Sequence, residues 1–110
     1  MIKIYSNGND FYNENKDFLL TNPNSEAFFR MDAPLLAECN SVEYALKVYD
    51  DSKSLLILSK KPFNLLLYGH LELCDELVDF LISNNYEIKD YLCETDLGNE
   101  LISTFKRKGY

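Results

Sequence analysis

Cys93, Glu94 and His70 are the residues whose types could do chemistry in this chain. A thiol, a carboxylate and the chain's single imidazole would supply a nucleophile, an orienting acid and a base if the fold brought them together. The elements around them suggest a meeting point. Residues 64–68 (Asn-Leu-Leu-Leu-Tyr) read as a buried strand, 71–83 repeat apolar residues at helical spacing, and 86–92 read as a second strand. A crossover of that length implies a parallel pair with a right-handed connection. A site in such a pair forms at its C-terminal ends, near Gly69, His70, Cys93, Glu94 and Thr95. The structural account is preferred here. Cys93 is expected to pack under the following helix, Thr95 to cap it, and His70 to be a solvated turn residue, because an isolated Cys and His without a local signature seldom mean catalysis.

The turn Tyr68-Gly69-His70-Leu71-Glu72-Leu73 occupies a place where many α/β proteins hold a phosphate, using glycine-freed backbone N–H groups and the positive end of a helix. This one has a single glycine, and Glu72 puts a negative charge in the first helical turn. No nucleotide site is expected there. Other candidates also have plainer accounts. Asp50-Asp51 with Glu43 lacks the alternating oxygen ligands and glycine of a calcium loop and reads as a hairpin turn. Arg30 reads as a helix-surface ion-pair partner, and Lys60-Lys61-Pro62 as a solvated turn. Phe11, Tyr12, Phe18, Phe28 and Phe29 could line a recognition surface, but their helical spacing favours core packing. No catalytic, cofactor-binding or metal-binding residue is assigned.

Size and charge narrow the classes further. The 110 residues amount to one domain, 1–110. At 46% hydrophobic residues the chain can bury roughly two-thirds of its extended surface. Eighteen acids against eleven bases give a charge of −7, which opposes nucleic acid and anionic membranes. The basic run Lys106-Arg107-Lys108 falls in the last turn of a predicted helix, where it complements the dipole. Cys39, Cys74 and Cys93 show no C-x-x-C spacing, and a zinc site would have to recruit carboxylates, so they read as reduced, mostly buried thiols. The N-terminus has no long apolar stretch, so neither signal peptide nor membrane span is read and the expected compartment is the cytoplasm.

Positioning these residues requires the following elements. A strand over 2–5 closes at Ser6-Asn7-Gly8-Asn9, and Asn9 or Asp10 caps a helix with Phe11, Phe18 and Leu19 inward. Asn22-Pro23 ends that helix, and Ser25 restarts one with Phe28 and Phe29. Asp32-Ala33-Pro34 interrupts it before Leu35, Leu36 and Cys39, giving a kinked helix or two short ones with Asp32 as the second cap. Strands over 43–49, 54–59 and 64–68 form an antiparallel meander, turning at 50–53 and 60–63, with the last two covered on both faces. The helix over 71–83 buries Leu71, Cys74, Leu77, Val78, Leu81 and Ile82 and stops at Asn84-Asn85. In the strand over 86–92, Ile88 and Leu92 point inward. Thr95 caps a last helix with Leu97, Leu101, Ile102 and Phe105 inward and Gly109 as its stop.

With that order of elements, the chain resembles the GNAT-type N-acetyltransferases, and most of all the N-terminal half of bacterial two-part members. The likeness is carried by Ile4-Tyr5-Ser6-Asn7-Gly8-Asn9-Asp10-Phe11, by Phe28-Phe29-Arg30-Met31-Asp32-Ala33-Pro34-Leu35-Leu36 and by Phe63-Asn64-Leu65-Leu66-Leu67-Tyr68-Gly69. It spans nearly all 110 residues. The resemblance implies an α/β (α+β) fold of order β-α-α-β-β-β-α-β-α, a mixed sheet flanked by helices. Catalytic members hold the acetyl-CoA pyrophosphate with a Q/R-x-x-G-x-G/A loop after the fourth strand. Here that place holds Tyr68-Gly69-His70-Leu71-Glu72-Leu73, and the family's closing strands are missing after Tyr110. A non-catalytic half is therefore implied, cut from a longer protein and supplying scaffold and one wall of the acceptor cleft. Acetyl-CoA would belong to a C-terminal partner half, against which this half would bury a sheet edge or helix face, or pair with a second copy. The alternative, from another class, is a free-standing interaction domain. A thiol enzyme using Cys93 and His70 is the remote third.

Overall fold

A computed structural model describes residues 1–39, 43–60, 65–85 and 90–109. Strand β1 (Ile2–Ile4) is followed by helices α1 (Gly8–Leu19) and α2 (Pro23–Asp32), and α2 continues into a 3-10 turn, Ala33–Leu35. Strands β2 (Tyr44–Tyr49), β3 (Ser54–Ser59) and β4 (Leu65–Gly69) come next. After a second 3-10 turn (Leu71–Leu73), α3 (Cys74–Ser83), β5 (Tyr91–Leu92) and α4 (Thr95–Arg107) complete the chain. The five strands lie in sequence order in one mixed sheet. β1 to β4 are antiparallel neighbours and β5 is parallel to β4. The α+β class and the mixed sheet are those expected from the residue pattern.

The sheet is covered on both faces because strand residues alternate between two cores. Tyr44, Leu46, Val48, Leu55, Ile57 and Leu67 pack with Leu77, Val78 and Leu81 of α3 and Leu97 and Leu101 of α4. Ala45, Leu56, Leu58 and Leu66 pack on the other face with Phe11 and Leu19 of α1 and Phe29 of α2. The meander turn at 50–53 is an Asx turn. Asp50 Oδ1 accepts from the amides of Ser52 (2.9 Å) and Lys53 (2.8 Å). These two donors hold its carboxyl below the ordinary range.

Several expectations are corrected. Asn7, not Asn9 or Asp10, caps α1, accepting from the Asp10 amide at 2.8 Å. Pro23 does not merely end α1: it begins α2 at N1, with Asn22 as the cap. Asp32 makes no side-chain cap bond, and beyond it only the 3-10 turn forms, so no second short helix carries Leu35 and Cys39. Leu71 and Ile102 lie at the surface, at 36% and 39% exposure, because 71–73 wind as a 3-10 turn and Ile102 sits on the outer side of α4. Glu94, not Thr95, occupies the N-cap of α4. Of the three thiols only Cys74 is buried. The left-handed residue after α3 is Asn85, and Gly109 closes α4 with φ +89. The turn at 61–63, Asn64, Ile88 and Tyr110 fall outside the described residues.

Both sheet edges are guarded. β1 has three residues, with Lys3 at its centre paired to Glu14 at 2.8 Å. On β5 the ladder to β4 uses the Asp90 carbonyl, which accepts from Leu65 at 3.3 Å. The amide of the next residue, Tyr91, is bonded at 2.9 Å by the Asp90 carboxylate. Short strands, a lysine and a side chain on an outward amide are the usual protections against strand addition.

Candidate functional site

The β4–β5 ladder consists of Leu65 with Tyr91 and Leu66 with Leu92. β4 then runs on to Gly69, paired with β3 alone, while the chain leaves β5 for α4. A cleft of about 220 Å³ opens where the two strands part. Leu66, Leu67, Leu92, Cys93 and Glu94 form one wall, and the first turns of α2 form the other through Asn22, Asn24, Ser25, Phe28 and Phe29. This is the crevice beyond the carboxyl ends of parallel strands, where ligands of open α/β sheets sit.

The cleft's mouth is spanned by one polar contact. Asn22 Nδ2 donates to Glu94 Oε1 at 2.6 Å, while Asn22 Oδ1 accepts from the Ser25 amide at 3.4 Å. One asparagine thus caps α2 and ties it to the start of α4. Glu94 is the only charged lining residue, and no Lys, Arg or His lines the cleft among the described residues.

Of the five sequence candidates, the structure brings only Cys93 and Glu94 to this cleft. His70 stacks on Phe18 of α1 (centroids 5.8 Å apart) and its Nδ1 lies 3.1 Å from the Ser54 amide. It is a half-buried packing residue, not a solvated one. Cys93 packs with the opposite layer, beneath α4: a Cβ on Gly98 would lie 3.4 Å from its Sγ. Burial and then the Glu94 charge push the Cys93 thiol up to about 11. A thiol nucleophile needs the opposite shift. At pH 8 such a thiol holds roughly a hundredfold less thiolate than one at the ordinary 9.0. Iodoacetamide at pH 8 is therefore expected to label Cys93 far more slowly than a free cysteine and no faster than Cys39, read by peptide mass spectrometry. Faster labelling of Cys93 would restore the nucleophile.

The turn after β4 is built inward. The His70 amide donates to Ser54 O at 2.8 Å, the Leu73 amide to His70 O at 3.2 Å, and the Cys74 amide to Leu71 O. Glu72 is exposed beside them. Gly69 is required by close approach: a Cβ there would sit 2.2 Å from Ser54 O.

The remaining charged candidates are engaged elsewhere. Glu43 pairs with Lys60 at 2.9 Å, so it does not join Asp50 and Asp51. Arg30 lies 3.5 Å from Glu26. Arg107 pairs with Glu100, and Lys108 bridges Asp75 (3.1 Å) and Asp79 (2.8 Å) on α3. Among the described residues no cluster of three metal-ligating side chains forms, and no helix is long and apolar enough to cross a membrane.

Sequence reasoning missed Asn22, and it named Phe28 as a possible recognition residue but favoured the core for it. Asn-Pro read as a stop signal, although it is equally a cap followed by N1. Phe28 shared the aromatic spacing of the core but is 47% exposed at the cleft. No family model, no curated protein and no solved structure matches this chain.

Proposed function

We propose that this chain is the non-catalytic N-terminal half of a GNAT-type N-acetyltransferase, a scaffold against which a catalytic half folds. The observation that carries the proposal is the order of elements: a helix pair between the first two strands, an antiparallel meander, and a crossover helix leading to one parallel strand. That order is the one the resemblance implies. The inward amides of His70, Leu73 and Cys74 support the accessory role, since a pyrophosphate needs such donors facing outward. The surface for the catalytic half is the apolar stripe Phe28, Met31 and Leu35, exposed by 47%, 69% and 48% along α2 and the turn that continues it.

Calorimetry with acetyl-CoA tests the proposal. The chain alone is expected to give no saturable heat at millimolar cofactor. Binding in the micromolar range would mean that this half carries the cofactor site and would overturn it. The alternative, a free-standing interaction domain, is favoured by one observation: both sheet edges are guarded. A parent reading frame that continues past residue 110 into a strand, a glycine-rich turn and a helix decides for the acetyltransferase, and one that does not decides for the interaction domain.

A further inference from the structure

We propose that the face of α2 carrying Phe28, Met31 and Leu35 docks a protein segment that presents an arginine among apolar side chains, with Asp32 as the arginine's acceptor. The proposal rests on the reading above that this stripe is a docking surface, and it adds the chemistry of what docks. Spacing places the carboxylate. Residues 28, 31, 32 and 35 stand at i, i+3, i+4 and i+7, so along α2 and the 3-10 turn that continues it Asp32 lies within the stripe.

Asp32 is costly where it stands. It is half-buried and ends α2, where the helix dipole disfavours a negative charge. Its side chain makes no cap bond, and among the described residues no donor or cation engages its carboxylate. Burial therefore raises its carboxyl above the ordinary range. The basic residue in the last turn, Arg30, pairs instead with Glu26 at 3.5 Å, and Pro34 has no N–H to offer the Arg30 carbonyl. A carboxylate beside a helix C-terminus is a set of acceptors without donors. Arginine's planar fork of N–H groups fits that set, and its weak hydration suits an apolar surround better than an ammonium would. The same charge disfavours other occupants. A second copy related by a two-fold axis through the stripe would bring Asp32 toward its own counterpart, and an anionic bilayer would repel it.

Selection of phage-displayed random peptides of about 12 residues against this chain, followed by fluorescence-anisotropy titration of the enriched peptides, tests this. Enriched peptides are expected to carry an arginine with aliphatic or aromatic residues three or four positions away. Asp32→Asn is expected to weaken them at least roughly tenfold. Because it removes an unpaired charge from the wrong end of a helix, it should also raise the chain's melting temperature by about 2–5 °C. Met31→Ser, at a position 69% exposed, should weaken the peptides too. Asp51→Asn, at an exposed hairpin acid, removes the same unit of charge and should leave binding unchanged. No enrichment, enriched peptides without a basic residue, equal losses for Asp32→Asn and Asp51→Asn, a lower melting temperature for Asp32→Asn, or a dimer in sedimentation that Met31→Ser abolishes would each overturn the proposal. None of these results touches the acetyl-CoA test above, so the two proposals fail separately.

Discussion

Gly69→Ala is expected to lower the stability of the fold by about 3–5 kcal/mol, a large share of the 5–15 kcal/mol that holds an ordinary domain together. Two causes add. The residue sits at φ +140, where a side chain is strained, and its Cβ would stand 2.2 Å from Ser54 O and 2.8 Å from Leu55 Cα. Both obstacles are backbone of β3, the central strand of the sheet, so relief requires prying β4 from β3. The His70 amide bond to Ser54 O and the His70 stack on Phe18 follow immediately, and they would be lost with the ladder's end. For a chain of this size the melting temperature should fall by roughly 15 °C or more, measured by circular dichroism. A glycine kept for a phosphate would behave differently, losing ligand affinity with little change in melting. A melting temperature within a few degrees of wild type would remove the structural account of Gly69 and reopen the turn as an anion site.

The strands were legible in the sequence because their signal is local. β3 carries apolar residues on both faces, Leu55 and Ile57 toward one core and Leu56 and Leu58 toward the other, and an uninterrupted apolar run between turn residues reads that way without knowledge of the partners. The last helix was legible for the same reason, through the spacing of Leu97, Leu101 and Phe105. The helix starts were less so. Asn7, Asn9 and Asp10 are all competent caps, and the choice of Asn7 depends on where α1 must begin to meet the 3-10 turn at 33–35. Around Pro34 the helical spacing of Leu35, Leu36 and Cys39 was misleading. Leu36 is buried by the α1 contact, Leu35 faces outward, and the Cys39 amide bonds to Ser6 O at 2.9 Å, so tertiary pairing overrides the periodicity.

The cleft was only half legible. That chemistry-bearing residues would gather at the ends of the parallel pair followed from the crossover, and Cys93 and Glu94 are there. The opposite wall was not foreseen, because it comes from the corner between α1 and α2, about 70 residues earlier in the chain. Asn22 meets Glu94 across a separation of 72 positions. No spacing rule reaches that far. His70 was expected near Cys93 because both flank the parallel pair, yet it turns toward α1 and stacks on Phe18.

Gly8→Ala carries the other large effect. Gly8 looked like one member of a turn cluster, and its backbone does not require glycine, since its φ is not in the left-handed region. Its requirement is space. A Cβ would lie 1.9 Å from Ala33 O, 2.8 Å from Ala33 C and 3.0 Å from Ala33 Cα, all backbone atoms of the turn that follows α2. The same approach lets the Gly8 amide donate to Leu36 O at 2.7 Å, so the start of α1 and the end of α2 are joined backbone to backbone. Opening that junction by the ångström or more that a methyl needs would break the bond and lift Ala33 and Leu36 from the core they share with Phe11 and Phe29. The expected loss is about 3 kcal/mol or more. Gly98→Ala is the internal comparison: the atoms nearest its Cβ are the Tyr91 ring at 2.9 Å and Cys93 Sγ at 3.4 Å, side-chain atoms that can shift, and it gains about 1 kcal/mol of helix propensity in α4. Urea denaturation should therefore show a fall in midpoint for Gly8→Ala and almost none for Gly98→Ala. Equal midpoints for the two variants would mean that α1 is not locked to the 33–36 backbone, and the docking of the helix pair over the cleft would need another cause.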